Sequence, residues 1–162
     1  MFNLFKKKSI EVEIFAPCDG ELLNLSEVPD AVFSQKMIGD GIAIIPESKS
    51  MYGVIQGKIV NIFPTNHAIG MTNDTGLEVL IHIGLDTVEL KGEGFQRVAN
   101  EGDQIDSNSE LMRVDLEILQ KAEKEIVTPI LITNMDKVEK IEYVGKQRVK
   151  RGDLMMKVTL KN

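Results

Sequence analysis

Pro64-Thr65-Asn66-His67-Ala68-Ile69-Gly70-Met71-Thr72-Asn73-Asp74-Thr75-Gly76-Leu77-Glu78-Val79-Leu80-Ile81-His82-Ile83-Gly84 is the stretch whose reading decides the fold. Two apolar-rich runs, Pro64 to Met71 and Leu77 to Gly84, flank the turn-forming cluster Thr72 to Gly76, the pattern of a β-hairpin. A four-residue loop, Asn73-Asp74-Thr75-Gly76, pairs Thr72 with Leu77. Carried back along both strands, that register sets His67 opposite His82, Thr65 opposite Gly84 and Ile69 opposite Leu80. Directly opposed residues hold their Cβ atoms roughly 4.5–5.5 Å apart, so the two imidazoles are expected to meet. Side chains alternate along a strand, which sends Val79, Ile81 and Ile83 to the core and leaves His82 on the partly covered face. A slip of one residue would part the rings onto opposite faces.

Working outward, short β-like runs cut by Gly and Pro recur. They are Glu11 to Phe15, Gly41 to Ile45, Lys58 to Phe63, Glu110 to Val114, Ile130 to Thr133, Val138 to Val144 and Leu154 to Leu160. Helical signals are few: Pro29 to Phe33 can open one turn, and Asp115 can cap a short helix over Leu116 to Lys121. The expected fold is all-β, an antiparallel β-sandwich or barrel-like single domain over residues 10–162 with one or two short helical turns. Residues 1–9 are expected to form a flexible basic N-terminal tail. Gly102-Asp103 and Gly152-Asp153 each lead into a Leu-Met-containing strand, an echo that hints at internal pseudo-symmetry.

The chain has 162 residues, 43% of them hydrophobic and 27% charged, which is enough apolar material for a core. A formal charge of −6 argues against a general nucleic-acid binder and suits a basic protein partner. Cys18 is the sole cysteine, so an internal disulfide is excluded and a reducing compartment is expected. No apolar run approaches the ~20 residues of a membrane span. The opening Phe2, Leu4 and Phe5 precede Lys6, Lys7 and Lys8, the wrong order for a secretory signal. A cytoplasmic protein is expected, with membrane contact limited to a weak tail anchor or to a partner.

Two adjacent imidazoles suit phosphoryl transfer. A neutral histidine offers a nucleophilic ring nitrogen, and a second ring can donate a hydrogen bond to the arriving phosphoryl oxygens. Zinc is the competing use, and His82 and Asp86 have an H-x-x-x-D spacing, yet no third histidine exists. Gly39-Asp40-Gly41 and Gly92-Glu93-Gly94 are too short for phosphate loops, which makes ATP an unsuitable donor. Arg151-Gly152-Asp153 reads as a hairpin turn.

Leu77 to Phe95 resembles the phosphorylation-site signature of the glucose-family enzyme IIA of the bacterial phosphoenolpyruvate:sugar phosphotransferase system. Val28 to Phe33, Gly39 to Ala43, Phe63 to Ala68 and Thr128 to Ile130 extend the resemblance over nearly the whole chain after Ile10. The resemblance implies a β-sandwich in which His82 accepts the phosphoryl group on Nε2, His67 stabilises and passes it on, and Thr65 orients His67. It implies the phosphocarrier protein HPr as donor and a cysteine on the IIB domain of a sugar permease as acceptor. Around the site it places Val32, Phe33, Ile38, Leu80 and Gly84 with the acidic residues Asp30 and Asp86 as a partner-binding rim. No cofactor is required, although His67 and His82 are candidate ligands for a zinc ion shared with a partner. Two other readings stand beside it: a zinc-dependent hydrolase of the β-rich metallopeptidase type, which lacks its H-x-H motif here, and a non-catalytic protein-binding module.

Overall fold

The structure is a computed structural model and describes residues 9–162. The basic tail and its anchor motif, apart from Ser9, therefore lie outside the described residues. The strands are β1 (Glu11–Phe15), β2 (Gly20–Asn24), β3 (Asp40–Pro46), β4 (Ser50–Tyr52), β5 (Gly57–Ile62), β6 (Ala68–Thr72) and β7 (Glu78–His82). They continue with β8 (Phe95–Arg97), β9 (Gln104–Ile105), β10 (Glu110–Val114), β11 (Thr128–Ile132), β12 (Val138–Tyr143), β13 (Arg148–Val149) and β14 (Leu154–Leu160). Among the described residues only α1 (Ala31–Ser34) and α2 (Leu116–Lys121) are α-helical. Both begin where the capping residues require. Asp30 accepts from Val32 N, and Asp115 accepts from Glu117 N and Ile118 N.

Every pairing is antiparallel. One eight-stranded sheet runs β13-β2-β3-β11-β7-β6-β5-β9, and two three-stranded sheets run β1-β14-β12 and β4-β10-β8. The all-β expectation holds. Ile14, Ile44, Met51, Ile81, Met112 and Met156 belong to one large buried cluster. A second cluster joins Leu25, Val28, Phe33, Leu85, Val127 and Leu131, with Leu80 packed against it. Neighbours Ile130 and Leu131 fall in different clusters, so β11 is buried on both faces and reads as a continuous apolar run instead of an alternation. No helix among the described residues is long and apolar enough to cross a membrane.

The hairpin register differs by one residue from the sequence expectation. Thr72 pairs with Glu78, and Ala68, instead of His67, stands opposite His82. Asn73 causes the shift. Its side-chain Oδ1 accepts from Leu77 N at 3.2 Å, from Thr75 N at 3.2 Å and from Thr75 Oγ1 at 2.5 Å, which draws Leu77 into the loop. Ile69 accordingly faces Ile81 and is fully buried in the main core, not on the histidine face. The faces of β7 are as expected: Val79 and Ile81 are buried, as is Ile83 just beyond the strand, while Leu80 and His82 are half-exposed.

The echoed turns are real counterparts. Asn100 to Asp103 and Lys150 to Asp153 each place glycine at positive φ, with Gly102 at 90° and Gly152 at 85°. In each, the aspartate Oδ2 accepts from the first residue's N–H, at 2.9 Å for Asp103 and 2.8 Å for Asp153. Each turn also docks on one residue of another segment through a donated and an accepted backbone bond. Ile59 receives the first turn and Ala16 the second. Arg151 of the second turn lies over the Tyr52 ring at 4.1 Å, so the Arg-Gly-Asp tripeptide is explained as a packed turn.

Candidate active site

His82 is the last residue of β7, and His67 ends the turn that precedes β6. With the shifted register, strand alternation alone would send them to opposite faces. They meet because Pro64 to His67 is a turn and not a strand. Asn66 sits at φ 62°, a left-handed conformation that asparagine tolerates, and its N–H donates to Phe63 O at 2.7 Å. The His67 carbonyl accepts from Ile83 N at 2.7 Å, which fixes the turn to the strand bearing His82. The two imidazoles stand edge to face, centroids 5.1 Å apart and planes at 79°. Two further rings complete the group. Phe33 lies 4.8 Å from His82, and Phe63 lies 5.5 Å from His67 edge-on.

Each imidazole is held at Nδ1. His82 Nδ1 lies 2.8 Å from the carbonyl oxygen of Gly84. A carbonyl can only accept, so Nδ1 carries the proton and, in the neutral ring, Nε2 keeps its lone pair. Thr65 Oγ1 lies 2.6 Å from His67 Nδ1. A donating Thr65 hydroxyl leaves the His67 proton on Nε2. Burial lowers the pKa of His82 below the ordinary histidine value, against the pull of the Gly84 carbonyl and the carboxylates of Asp30 and Asp86. Burial together with the neighbouring His82 lowers His67 further, to about 4. Both rings are therefore neutral at physiological pH.

Gly84 sits at φ 73° and is buried. An added Cβ there would meet Thr87 Cγ2 at 2.7 Å and the Glu125 carbonyl oxygen at 2.9 Å. Gly84 thus acts through its carbonyl and is not available to a partner as a rim residue. Phe33 also departs from the expected rim: it is 4% exposed, part of the second core cluster, and reaches the site only through its ring on His82. Val32 and Ile38 are exposed, each at 39%, Leu80 is half-buried, and Asp30 and Asp86 are half-buried and exposed respectively.

Three contributors escaped sequence reading. Phe63 is 37% exposed beside His67, and Arg97 donates from Nε and Nη2 to Asn66 Oδ1 at 3.1 and 2.9 Å. The third is the buried pair Thr87 and Thr128 beneath Gly84. Pro64-Thr65-Asn66 carried a usable signal, since that composition marks a turn. The long-range contacts of Arg97 and Thr128 carried none. Among the described residues no group of three or more His, Cys, Asp or Glu side chains could hold a metal ion. Cys18 is fully buried, and burial pushes its thiol up to about 12, so it offers no competing nucleophile.

Comparison with known proteins gives a consistent result. The family model described as phosphoenolpyruvate-dependent sugar phosphotransferase system, EIIA 1, matches residues 12–138. The glucose-specific EIIA component of the phosphotransferase system from Staphylococcus epidermidis is 42% identical over 153 residues, spanning 94% of this chain and 92% of the relative. Its Haemophilus influenzae counterpart is 44% identical over 138 residues, spanning 85% and 83%. The solved structure of glucose permease IIA from Mycoplasma capricolum superposes with a TM-score of 0.86 at 39% identity, covering 94% of this chain and 97% of that one. Matches of this extent, over a paired-imidazole site that the same residues build, show that the chain belongs to the EIIA 1 family of the phosphoenolpyruvate-dependent sugar phosphotransferase system.

Proposed function

We propose that the chain accepts a phosphoryl group from phospho-HPr on His82 Nε2 and hands it to a cysteine on the IIB domain of a sugar permease. Membership of the family makes it a phosphocarrier in sugar uptake. The assignment of atoms rests chiefly on one observation, the 2.8 Å contact between His82 Nδ1 and the Gly84 carbonyl, which leaves Nε2 as the unprotonated nitrogen. In the transfer, the Nε2 lone pair forms the bond to phosphorus, and the donor's bond to phosphorus breaks with its electron pair staying on the donor. The Nδ1 proton remains on the ring, and this makes the imidazole a good leaving group for the second transfer.

His67, with Thr65 donating to its Nδ1, presents Nε2–H to a phosphoryl oxygen and stabilises charge as the group arrives and departs. Phe33 and Phe63 flank the pair with apolar surface that hinders hydrolysis of the intermediate. Val32, Ile38 and Leu80 offer an apolar docking patch, and Asp30 and Asp86 give it an acidic rim for basic partners. The reaction requires no cofactor. A zinc ion bridging both imidazoles would need further ligands from a partner, because two nitrogens fall short of its usual four. A cytoplasmic location follows from the donor and acceptor named.

Two variants test the assignment. His82→Ala is expected to take up no phosphoryl group from phosphoenolpyruvate, enzyme I and HPr. His67→Gln is expected to accept it and to pass it to IIB roughly 100-fold more slowly. Full-stoichiometry labelling of His82→Ala contradicts the acceptor, and unimpaired onward transfer by His67→Gln contradicts its partner.

A further inference from the structure

The carbonyl that fixes the His82 tautomer is itself held by groups outside the histidine pair. Gly84 follows the Ile83–Gly84 peptide, and the two polar atoms of that peptide are each bonded to a threonine hydroxyl. Thr87 Oγ1 donates to the Ile83 carbonyl at 2.6 Å, and Thr128 Oγ1 accepts from Gly84 N at 3.4 Å. Thr128 Oγ1 donates in turn to the Ile126 carbonyl at 2.9 Å. Both threonines are 0% exposed. They come from unrelated places, Thr87 from the 3-10 turn Thr87–Leu90 and Thr128 from the start of β11. The next peptide is also fixed, because Leu85 N donates to Glu125 O at 3.0 Å.

Plain satisfaction of buried polar atoms accounts for one such bond. It does not require two hydroxyls on opposite edges of one peptide, set against a glycine at φ 73° whose carbonyl meets the nucleophile. The carbonyl and N–H of a trans peptide point in opposite directions, so gripping both prevents rotation of the unit that sets the Gly84 conformation. We propose that Thr87 and Thr128 are positioning residues for phosphoryl transfer, clamping the Ile83–Gly84 peptide so that the Gly84 carbonyl holds the proton on His82 Nδ1 and the reacting lone pair on Nε2. The proposal rests on His82 as the acceptor and adds the source of its choice of nitrogen.

The test compares wild type with Thr87→Val, Thr128→Val and the corresponding serine variants. Ring 15N shifts report the His82 tautomer, and 31P–1H correlation reports which nitrogen carries phosphorus after incubation with phosphoenolpyruvate, enzyme I and HPr. Each valine variant is expected to show an increased fraction of Nε2–H tautomer, some phosphorus on Nδ1, and acceptance slowed roughly tenfold or more. Each serine variant is expected to keep the wild-type ratio and rate. Folded valine variants with wild-type tautomer, site and rate overturn the proposal. Where a valine variant does not fold, the serine variant decides, and a folded serine variant with an altered tautomer overturns it. If phosphorus in the wild type is absent from His82 altogether, the acceptor assignment fails instead, which is a separate result.

Discussion

A ring that attacks phosphorus at neutral pH must be neutral, and burial provides this for both histidines. His67 shows the cost. Its pKa of about 4 in the folded chain lies below the ordinary 6.5, so the unfolded chain takes up a proton that the folded chain refuses. Stability from this group is full above pH 6.5 and is lost as pH falls towards 4. Urea midpoints measured between pH 7 and 4.5 are expected to fall less steeply for His67→Gln than for wild type. Equal slopes would mean that His67 titrates as an ordinary exposed imidazole. His82 contributes in the same direction, because its pKa is also lowered.

The two rings are brought together by elements that the sequence disclosed unequally. The strand carrying His82, its core face, the helical turn opened by Pro29 to Phe33 and the cap Asp115 were all legible, because each depends on a pattern within a few residues. The register was not. Nothing local states that the Asn73 carboxamide will capture Leu77 N and lengthen the loop. The predicted meeting of His67 with His82 came true for a different reason, the turn at Asn66 cancelling the one-residue shift. Strands β2, β4, β8, β9 and β13 were illegible too. The first buries Leu22 in one cluster and packs Leu23 against the other, and the other four have only two or three residues each. Gly84 tests the element scale most sharply. Gly84→Ala forces a Cβ at positive φ against the Glu125 carbonyl, and is expected to cost at least about 2 kcal/mol. It should also weaken acceptance by His82, and a fully active, equally stable Gly84→Ala would refute the packed-carbonyl account.

At the scale of the whole molecule, the eight-stranded sheet is covered on both faces around β11 and β7, by the main core and by the layer containing α1. The histidines sit at the end of that doubly packed region, so the densely packed part of the fold carries the candidate site, with Val32, Ile38 and Asp86 exposed beside it. The paired turns at Gly102 and Gly152, each bound to another segment in the same way, show that the short sequence echo marks a shared turn geometry. A formal charge of −6 and an acidic rim favour fast encounter with a basic partner. The second-order rate of phosphoryl acceptance from HPr is therefore expected to fall several-fold when salt is raised from about 0.05 M to about 0.5 M, and a flat response would remove the electrostatic part of docking.

The most direct measurement is the intact mass of the chain after incubation with phosphoenolpyruvate, enzyme I and HPr, followed by mapping of the modified ring and nitrogen. The account predicts one acid-labile, alkali-stable phosphoryl group on Nε2 of His82. A chain that gains none, or that carries it on His67 or on a hydroxyl, contradicts it.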